Sequence, residues 1–430
     1  MSPPSRRRAF RAAALTVSAS TLAVGLVACG GLSEDSADGT PCGTTTPGIT
    51  PTEVKLGMTW SDSGPSASTM TAFRAGVDAR LHVVNDEEDG VFGRKITYAW
   101  RDDQADPKLN VTMVQELIDQ ENIFGFIYGS GGGKDSVELL QERNIPVTGL
   151  ASNPGWQGKN NMFSWFYLGN GSSTAWGKYI RAQGGSRAAV FAIDGSATSE
   201  DFTQQFAASL KARDVEVVQE FHTTSAVTNY RILAQQIKAA NIDTLGGILL
   251  PEVAANLLPE LRKVGLALGG KLKVVLMPLG YDSSNLTKYG QSLAGVSIFT
   301  TIKPFEVNTP GQQKFRQAMN LYSPETQPPT QDSAVDGWLA ADLFIRGLEE
   351  AGQCPTRESF ISGLRAVKDY DSAGMTPEDS ISLSTNYKNV SVCYGVIRVS
   401  QGGDAFEANP QAECGVEISP ERMNTLIQQP

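Results

Sequence analysis

Residues 123–154 read IFGFIYGSGGGKDSVELLQERNIPVTGLASNP. An apolar run, Ile123–Tyr128, meets a glycine-rich turn, Gly129–Gly133. A helical segment begins near Asp135, and a second apolar run, Ile145–Leu150, ends in Ala151-Ser152-Asn153-Pro154. That order is strand, tight turn, helix, strand. Glycines at a strand end let the backbone pass close to a guest, and the helix behind presents amide donors and a partial positive charge. The stretch therefore reads as half of a small-ligand site suited to a carboxylate. The Ser130 hydroxyl and the amides from Gly131 onward form one edge, and Ala151, Ser152 and Asn153 form the other. In open α/β sheets ligands sit outside the carboxyl ends of strands, where both segments end.

Other readings of the glycine turn fail on spacing. A Walker loop needs G-x-x-x-x-G-K-[ST], but Tyr128 stands where the first Gly belongs and Asp135 where the hydroxyl belongs. The dinucleotide pattern G-x-G-x-x-G, begun at Gly129 and Gly131, ends on Lys134. Ser130 has Tyr128 two residues before it, so the nucleophile elbow G-x-S-x-G is missing as well. A plain flexible turn followed by a capping box of Asp135 and Glu138 is compatible with the ligand site. Trp60, Tyr128, Trp156 and Tyr281 stand near strand ends as candidate pocket walls, although such rings more often pack in cores. Asp194 and Asp282, each after an apolar run, are candidates to answer a ligand ammonium, although solvated loop carboxylates are commoner.

The same alternation extends outward. Val54–Thr59 reads as a first strand, a helical pattern runs through Phe73, Val77 and Leu81 to Val84, and Lys95–Trp100 is the next strand. Asp86–Asp89 reads as a solvated loop, since it lacks the alternating ligands of a calcium loop. Asp106-Pro107 opens a helix with a capping carboxylate and a proline at its first position. Beyond the opening stretch, 188–193, 215–221, 244–250, 272–277 and 296–301 read as strands, and 202–210, 232–240 and 257–264 as helices. Alternation of this kind predicts parallel sheets covered by helices on both faces, and the length requires two of them. The later third departs from it: 312–321, 333–351 and 360–367 read as helices, and the end as a hairpin from Val390.

Forty-six acids against 36 bases give a net charge of −10, the opposite of an electrostatic nucleic-acid binder. With His82 and His222 as the sole histidines, zinc and Ser-His-Asp chemistry are poorly supplied; no metal, cofactor or catalytic residue is expected. Residues 1–28 have the form of an export signal: Arg6, Arg7, Arg8 and Arg11, then the apolar run Ala12–Ala28, closing on the lipobox Leu26-Val27-Ala28-Cys29. Cys29 is the expected lipidation site. Arg7-Arg8-Ala9-Phe10 leaves general and twin-arginine export both open. Residues 29–52 read as a flexible tether rich in Gly, Ser, Thr and Pro. Cys42, Cys354, Cys393 and Cys414 make an even set outside the cytoplasm, hence two disulfides with three possible connectivities. Cys393 and Cys414 flank the C-terminal hairpin, which favours that pair and leaves Cys42 with Cys354.

In succession, these residues resemble the type I periplasmic substrate-binding proteins of the Leu/Ile/Val-binding kind. The matching segments are Ser63-Gly64-Pro65, Asn85 followed by Gly90-Val91-Phe92-Gly93-Arg94, Asp102-Asp103 with Asp106-Pro107, the strand ending at Ser130, Ile145-Pro146-Val147, and Tyr230 through Ile242-Asp243. The resemblance implies an α/β fold of two doubly wound parallel-sheet lobes joined by three hinge crossings, near Leu168–Gly171, Thr300–Lys303 and Thr385–Val390. Lobe 1 would hold residues 53–169 and 302–387, and lobe 2 residues 170–301 and 388–430. It implies a monomeric solute-binding lipoprotein on the outer face of the cell membrane that clamps a branched-chain amino-acid-like or amide-like ligand and docks on ABC permease subunits. By the same resemblance Ser130, Ala151 and Asn153 hold the ligand carboxylate. In lobe 2 the family's aromatic falls near Thr198, where none stands, and its acidic partner for a ligand ammonium near Leu279, which leaves that role to Asp282 or Glu252; Tyr281 is a further ligand-binding candidate there. A ligand sensor of the same fold is the alternative, and an extracellular hydrolase a weaker one.

Overall fold

The computed structural model describes residue 42 and residues 46–64, 67–130, 134–194, 197–224 and 229–428, apart from the side chains at 68, 69, 134, 197 and 198. The signal segment, Cys29 and Gly131 lie outside the described residues, as do most of the tether and the side chain of Thr198. Among the described residues no helix is long and apolar enough to cross a membrane.

Two sheets organise the chain, as the alternation predicts. The first has the order β2-β1-β3-β4-β5 and is wholly parallel. Its strands are β1 (Glu53–Trp60), β2 (Lys95–Asp102), β3 (Gly125–Gly129), β4 (Val147–Gly149) and β5 (Met162–Phe163). A short strand, β6 (Ser172–Ser173), follows. The second sheet runs β13-β12-β11-β10-β9-β7-β8. It is built from β7 (Arg187–Ile193), β8 (Glu216–Thr223), β9 (Thr244–Gly247), β10 (Val274–Met277), β11 (Ser297–Thr300), β12 (Cys393–Val399) and β13 (Phe406–Ala408). The hairpin β12–β13 is antiparallel, and β14 (Glu413–Cys414) adds to β12. β15 (Glu417–Ile418) pairs with β6.

Helices α1 (Phe73–His82), α2 (Pro107–Gln120), α3 (Lys134–Glu142) and α4 (Ala197–Lys211) follow strands. Asp106 caps α2 as its sequence requires, accepting from the amides of Lys108 and Leu109 at 2.8 Å with proline at the first helical position. Helix α5 (Ser283–Tyr289) was not foreseen, because none of its residues is buried and it carries no apolar stripe. Helices α6 (Pro310–Tyr322), α7 (Asp332–Ala351) and α8 (Arg357–Ala366) return to the first sheet, and α9 (Pro420–Gln428) ends the described chain. The acidic run 86–89, read as a solvated loop, instead begins in a π-helical turn, Val83–Glu87. Its acids are partnered: Asp86 lies 2.8 Å from His82 and Glu88 3.0 Å from Lys314.

On one face of the first sheet Val114, Leu117, Val137 and Leu140 pack against Phe126 and Tyr128. On the other, Leu56 and Met58 meet Phe73, Val77, Trp338 and Phe344. Each such fully buried side chain contributes about 1.5–3 kcal/mol. Helices α1 and α7 run parallel and touch backbone to backbone: a Cβ on Gly76 would stand 1.8 Å from the Ala334 carbonyl oxygen, and one on Gly337 1.9 Å from that of Phe73. Asp342, one turn and more along α7, accepts from Arg80 Nε at 2.9 Å and from the Tyr370 hydroxyl at 2.9 Å.

The chain crosses between the sheets after β5, after β11 and before β12. The first and third crossings are cross-bonded, Tyr167 N to Ser391 Oγ at 3.0 Å and Ser391 N to the Tyr167 carbonyl at 2.8 Å. The disulfides are Cys42–Cys354 and Cys393–Cys414, the favoured pairing.

Gly337→Ala is expected to cost roughly 1–3 kcal/mol of unfolding free energy in urea titration, since the two helices must part to admit the methyl group. An unchanged midpoint would show that the contact yields freely.

Candidate functional site

The carboxyl ends of β1 to β3 carry a buried chain of polar groups. Ser61 Oγ donates to Asp103 Oδ1 at 2.7 Å, and Asn110 Nδ2 donates to Asp103 Oδ2 at 2.5 Å. Tyr128 donates to Asn110 Oδ1 at 3.0 Å and lies 3.0 Å from Ser136 Oγ. Burial pushes the Tyr128 phenol upward, and Ser130 is within hydrogen-bonding reach of it. A satisfied network of this kind rigidifies the strand ends. Asp102 fixes the neighbouring turn: it accepts from the amides of Asp62 and Gln104 at 3.0 and 2.9 Å and from the Ser63 hydroxyl at 2.6 Å. Burial opposes this, yet those donors hold its carboxyl below the usual range.

Ser130 lies at the end of β3, 6% exposed. At the next strand end the backbone of Ala151 is already engaged: its amide donates to Ser164 Oγ at 3.1 Å, and its carbonyl accepts from Leu168 N at 3.0 Å. Ser152 is half-buried with its amide turned back to Leu150. Asn153 caps the short helix Pro154–Trp156 through Oδ1, which accepts from Gly155 N at 2.8 Å. Of this edge, the Ser152 hydroxyl and Asn153 Nδ2 stay uncommitted among the described residues. Two of the candidate wall aromatics are core instead: Tyr128 and Trp156 are buried edge to face, with ring centroids 5.8 Å apart.

Tyr281, just beyond β10, is committed too. Its hydroxyl donates to Glu306 Oε2 at 2.6 Å and accepts from Phe305 N at 2.7 Å, and its ring stacks on Phe305 and meets Phe406 edge-on. Burial first, then the Glu306 charge, drive its phenol far upward. Tyr281 thus straps the second sheet to the second crossing. Asp194 is exposed, and Asp282 caps α5 by accepting from Ser284 N at 2.7 Å. Thr198 falls in the first turn of α4.

Sequence reading missed Asp332 and Asp336, one turn apart at the start of α7. Asp332 Oδ1 and Asp336 Oδ1 are both buried without a hydrogen-bond partner. Burial, reinforced by Asp336, Asp282 and Glu306, raises the Asp332 carboxyl well above its usual range. Burial alone pushes Asp336 up to about 7. The available signal was a pair of acids at i and i+4 on a helix otherwise apolar on that face, with no base four residues away.

Elsewhere, His222 stands between two carboxylates, Nδ1 3.0 Å from Glu200 and Nε2 3.1 Å from Glu220. These three have ligand atoms close enough to hold a metal, but each ring nitrogen already faces an acid, and an ion would have to displace one contact.

A carboxyl raised in the fold favours the protonated state, so its contribution to stability is full below the unfolded value near 4 and is lost as pH rises through about 7. Asp336→Asn is therefore expected to gain on the wild type by up to about 4 kcal/mol between pH 4 and 7.5 in paired urea titrations. A pH-independent difference would show that Asp336 ionises normally.

Comparison with known proteins fits this geometry. A solute binding protein of an ABC transporter from Rhodopseudomonas palustris HaA2, solved with p-hydroxybenzoic acid, is 16% identical with a TM-score of 0.68; the match covers 86% of this chain and 98% of that one. The leucine binding protein LivK of Thermotoga maritima is 15% identical with a TM-score of 0.64, covering 86% and 99%. LivJ of Streptococcus pneumoniae, a branched-chain amino acid transporter substrate binding protein solved with isoleucine, is 13% identical with a TM-score of 0.66, covering 83% and 99%. At such identities the likeness concerns the fold. No curated protein matches by sequence. The family described as periplasmic binding protein matches residues 53–404. With one parallel sheet, a second that is parallel as far as β11 and antiparallel beyond it, three crossings and that match over most of its length, the chain belongs to the periplasmic binding protein family in its type I form, a family of solute binders rather than enzymes.

Proposed function

We propose that the protein is the solute-binding subunit of an ABC importer, tethered to the outer face of the cell membrane through lipidated Cys29 and capturing one small polar or amino-acid-like solute between its lobes. The lobes are taken as 53–169 with 302–387, and 170–301 with 388–430. The observation that carries the reading is the buried Ser130 at the carboxyl end of β3, braced from below by the Tyr128–Asn110–Asp103 network. Strand carboxyl ends are where open parallel sheets receive ligands, and the relatives of this fold include proteins solved with isoleucine and with p-hydroxybenzoic acid.

In this reading Ser130, the Gly131 amide and Ser152 take the polar head of the solute. Asn153 adds its side-chain Nδ2 donor there, its Oδ1 being used by Gly155 N, and Ala151 shapes the edge, since its amide and carbonyl are used within the lobe. From the second lobe the first turn of α4, with Thr198, closes over the solute, and Tyr281 acts as a strut. Closure of the two lobes on the solute is the signal offered to the permease.

The test is a thermal-shift screen of the chain lacking residues 1–29 against amino acids, amides, polyamines and aromatic acids. A true ligand at 100 times its Kd adds about 2.7 kcal/mol of apparent stability. Ser130→Ala should then weaken binding about tenfold, the loss of one buried hydrogen bond; equal affinity would remove Ser130 from the site.

A further inference from the structure

The start of α7 holds more negative charge than the fold itself answers. Thr148 Oγ1, in β4, donates to the Ala340 carbonyl at 2.7 Å, which fixes α7 against that strand. Because α7 runs parallel to α1, its N-terminus points toward the carboxyl ends of the strands. Four residues of helix rise about 6 Å, the length of roughly two strand residues. Asp336 therefore stands one turn, and Asp332 two turns, nearer the carboxyl ends of the strands than Ala340.

From the other side come Glu306 on the second crossing and Asp282 beyond β10, whose charges oppose ionisation of Asp332, and Thr300 at the end of β11, whose hydroxyl hydrogen-bonds to Asp332 and offsets them only in part. Asp336 is 8% exposed, its Oδ1 has no partner, and its charge is the largest of those bearing on Asp332. The charges acting on Asp332 are all acidic. Lys303, three residues before Glu306, spends its ammonium on Asp379 at 2.7 Å. A buried carboxylate oxygen without a donor is costly, and a cluster of them calls for a cation from outside.

Building on the importer reading above, we propose that Asp332 and Asp336, with Glu306 behind them, form the subsite for a cationic group of the solute, an ammonium or guanidinium, so that the solute is an amine. Two unpartnered carboxylate oxygens one helical turn apart suit a group with several N–H donors. A divalent metal ion would need six or more converging oxygens, whereas Tyr281 already occupies one oxygen of Glu306 and Ser284 N one of Asp282. Protons compete for the same oxygens, since burial places the Asp336 carboxyl near neutrality. Amine binding accordingly strengthens as pH rises.

The experiment is isothermal titration of the chain lacking residues 1–29 with putrescine, agmatine, L-lysine and L-arginine, and in parallel with L-isoleucine, benzoate and calcium chloride. The expected result is that at least one amine binds, at least tenfold more weakly at pH 5.5 than at pH 8. Asp332→Asn and Asp336→Asn should each weaken it tenfold or more while keeping a cooperative melting transition. Binding of isoleucine or benzoate alone, undiminished in both variants, overturns the cationic subsite and leaves the importer reading standing. Calcium binding that both variants abolish, without any amine binding, overturns the organic assignment. Failure of every probe to bind a folded protein overturns both readings.

Discussion

Two glycines let two helices of the first lobe meet backbone to backbone. Gly76 and Gly337 remove the side chains that would hold α1 and α7 apart, and the helices meet at backbone distance. Much else depends on that contact. Helix α7 is supplied by the chain after it has built most of the second lobe, and only tight docking on α1 makes it a layer of the first. The depth of the docking brings Arg80 to Asp342, Thr148 to Ala340 and the Phe344 ring to Gly125. It also sets how far the first turn of α7 projects past the strand ends, and hence where its acids stand.

The architecture was legible because its determinants are local and repeated. Apolar runs of strand length alternate with helix-length amphipathic segments, and Asp106-Pro107 announces a helix in two residues. What escaped was held in place by tertiary contacts. Helix α5 has no buried residue, β5 and β6 are two residues each, and β6 exists because β15 comes back to pair with it. Spacing could not foretell the π-helical turn at Val83–Glu87, where the acids find His82 and Lys314.

The site was legible in position and not in polarity. Ser130 and the 151–153 edge could be placed from one strand–turn–helix–strand pattern, since parallel sheets always offer their carboxyl ends. Whether Ala151 keeps a free amide and Asn153 a free side-chain oxygen is decided by Ser164 and Gly155, one of them thirteen residues away. Asp332 and Asp336 read, in sequence, as ordinary acids in the first turns of a helix, where the dipole favours them. Only the approach of Asp282 and Glu306 turns them into a concentration of charge.

The Cys42–Cys354 bond has a mechanical meaning. Cys354 lies three residues past the end of α7, about 30 Å along that helix from Asp332. Around it Arg94 clamps both partners of the seam, donating to the Thr50 carbonyl at 2.8 Å and to the Gln353 carbonyl at 2.9 Å. A pull on the chain ahead of Cys42 would therefore enter at the end of α7 remote from Asp332 and pass covalently toward that helix. Strand β1, which follows Cys42 by only eleven residues, is spared the force that would otherwise pull it out from between β2 and β3.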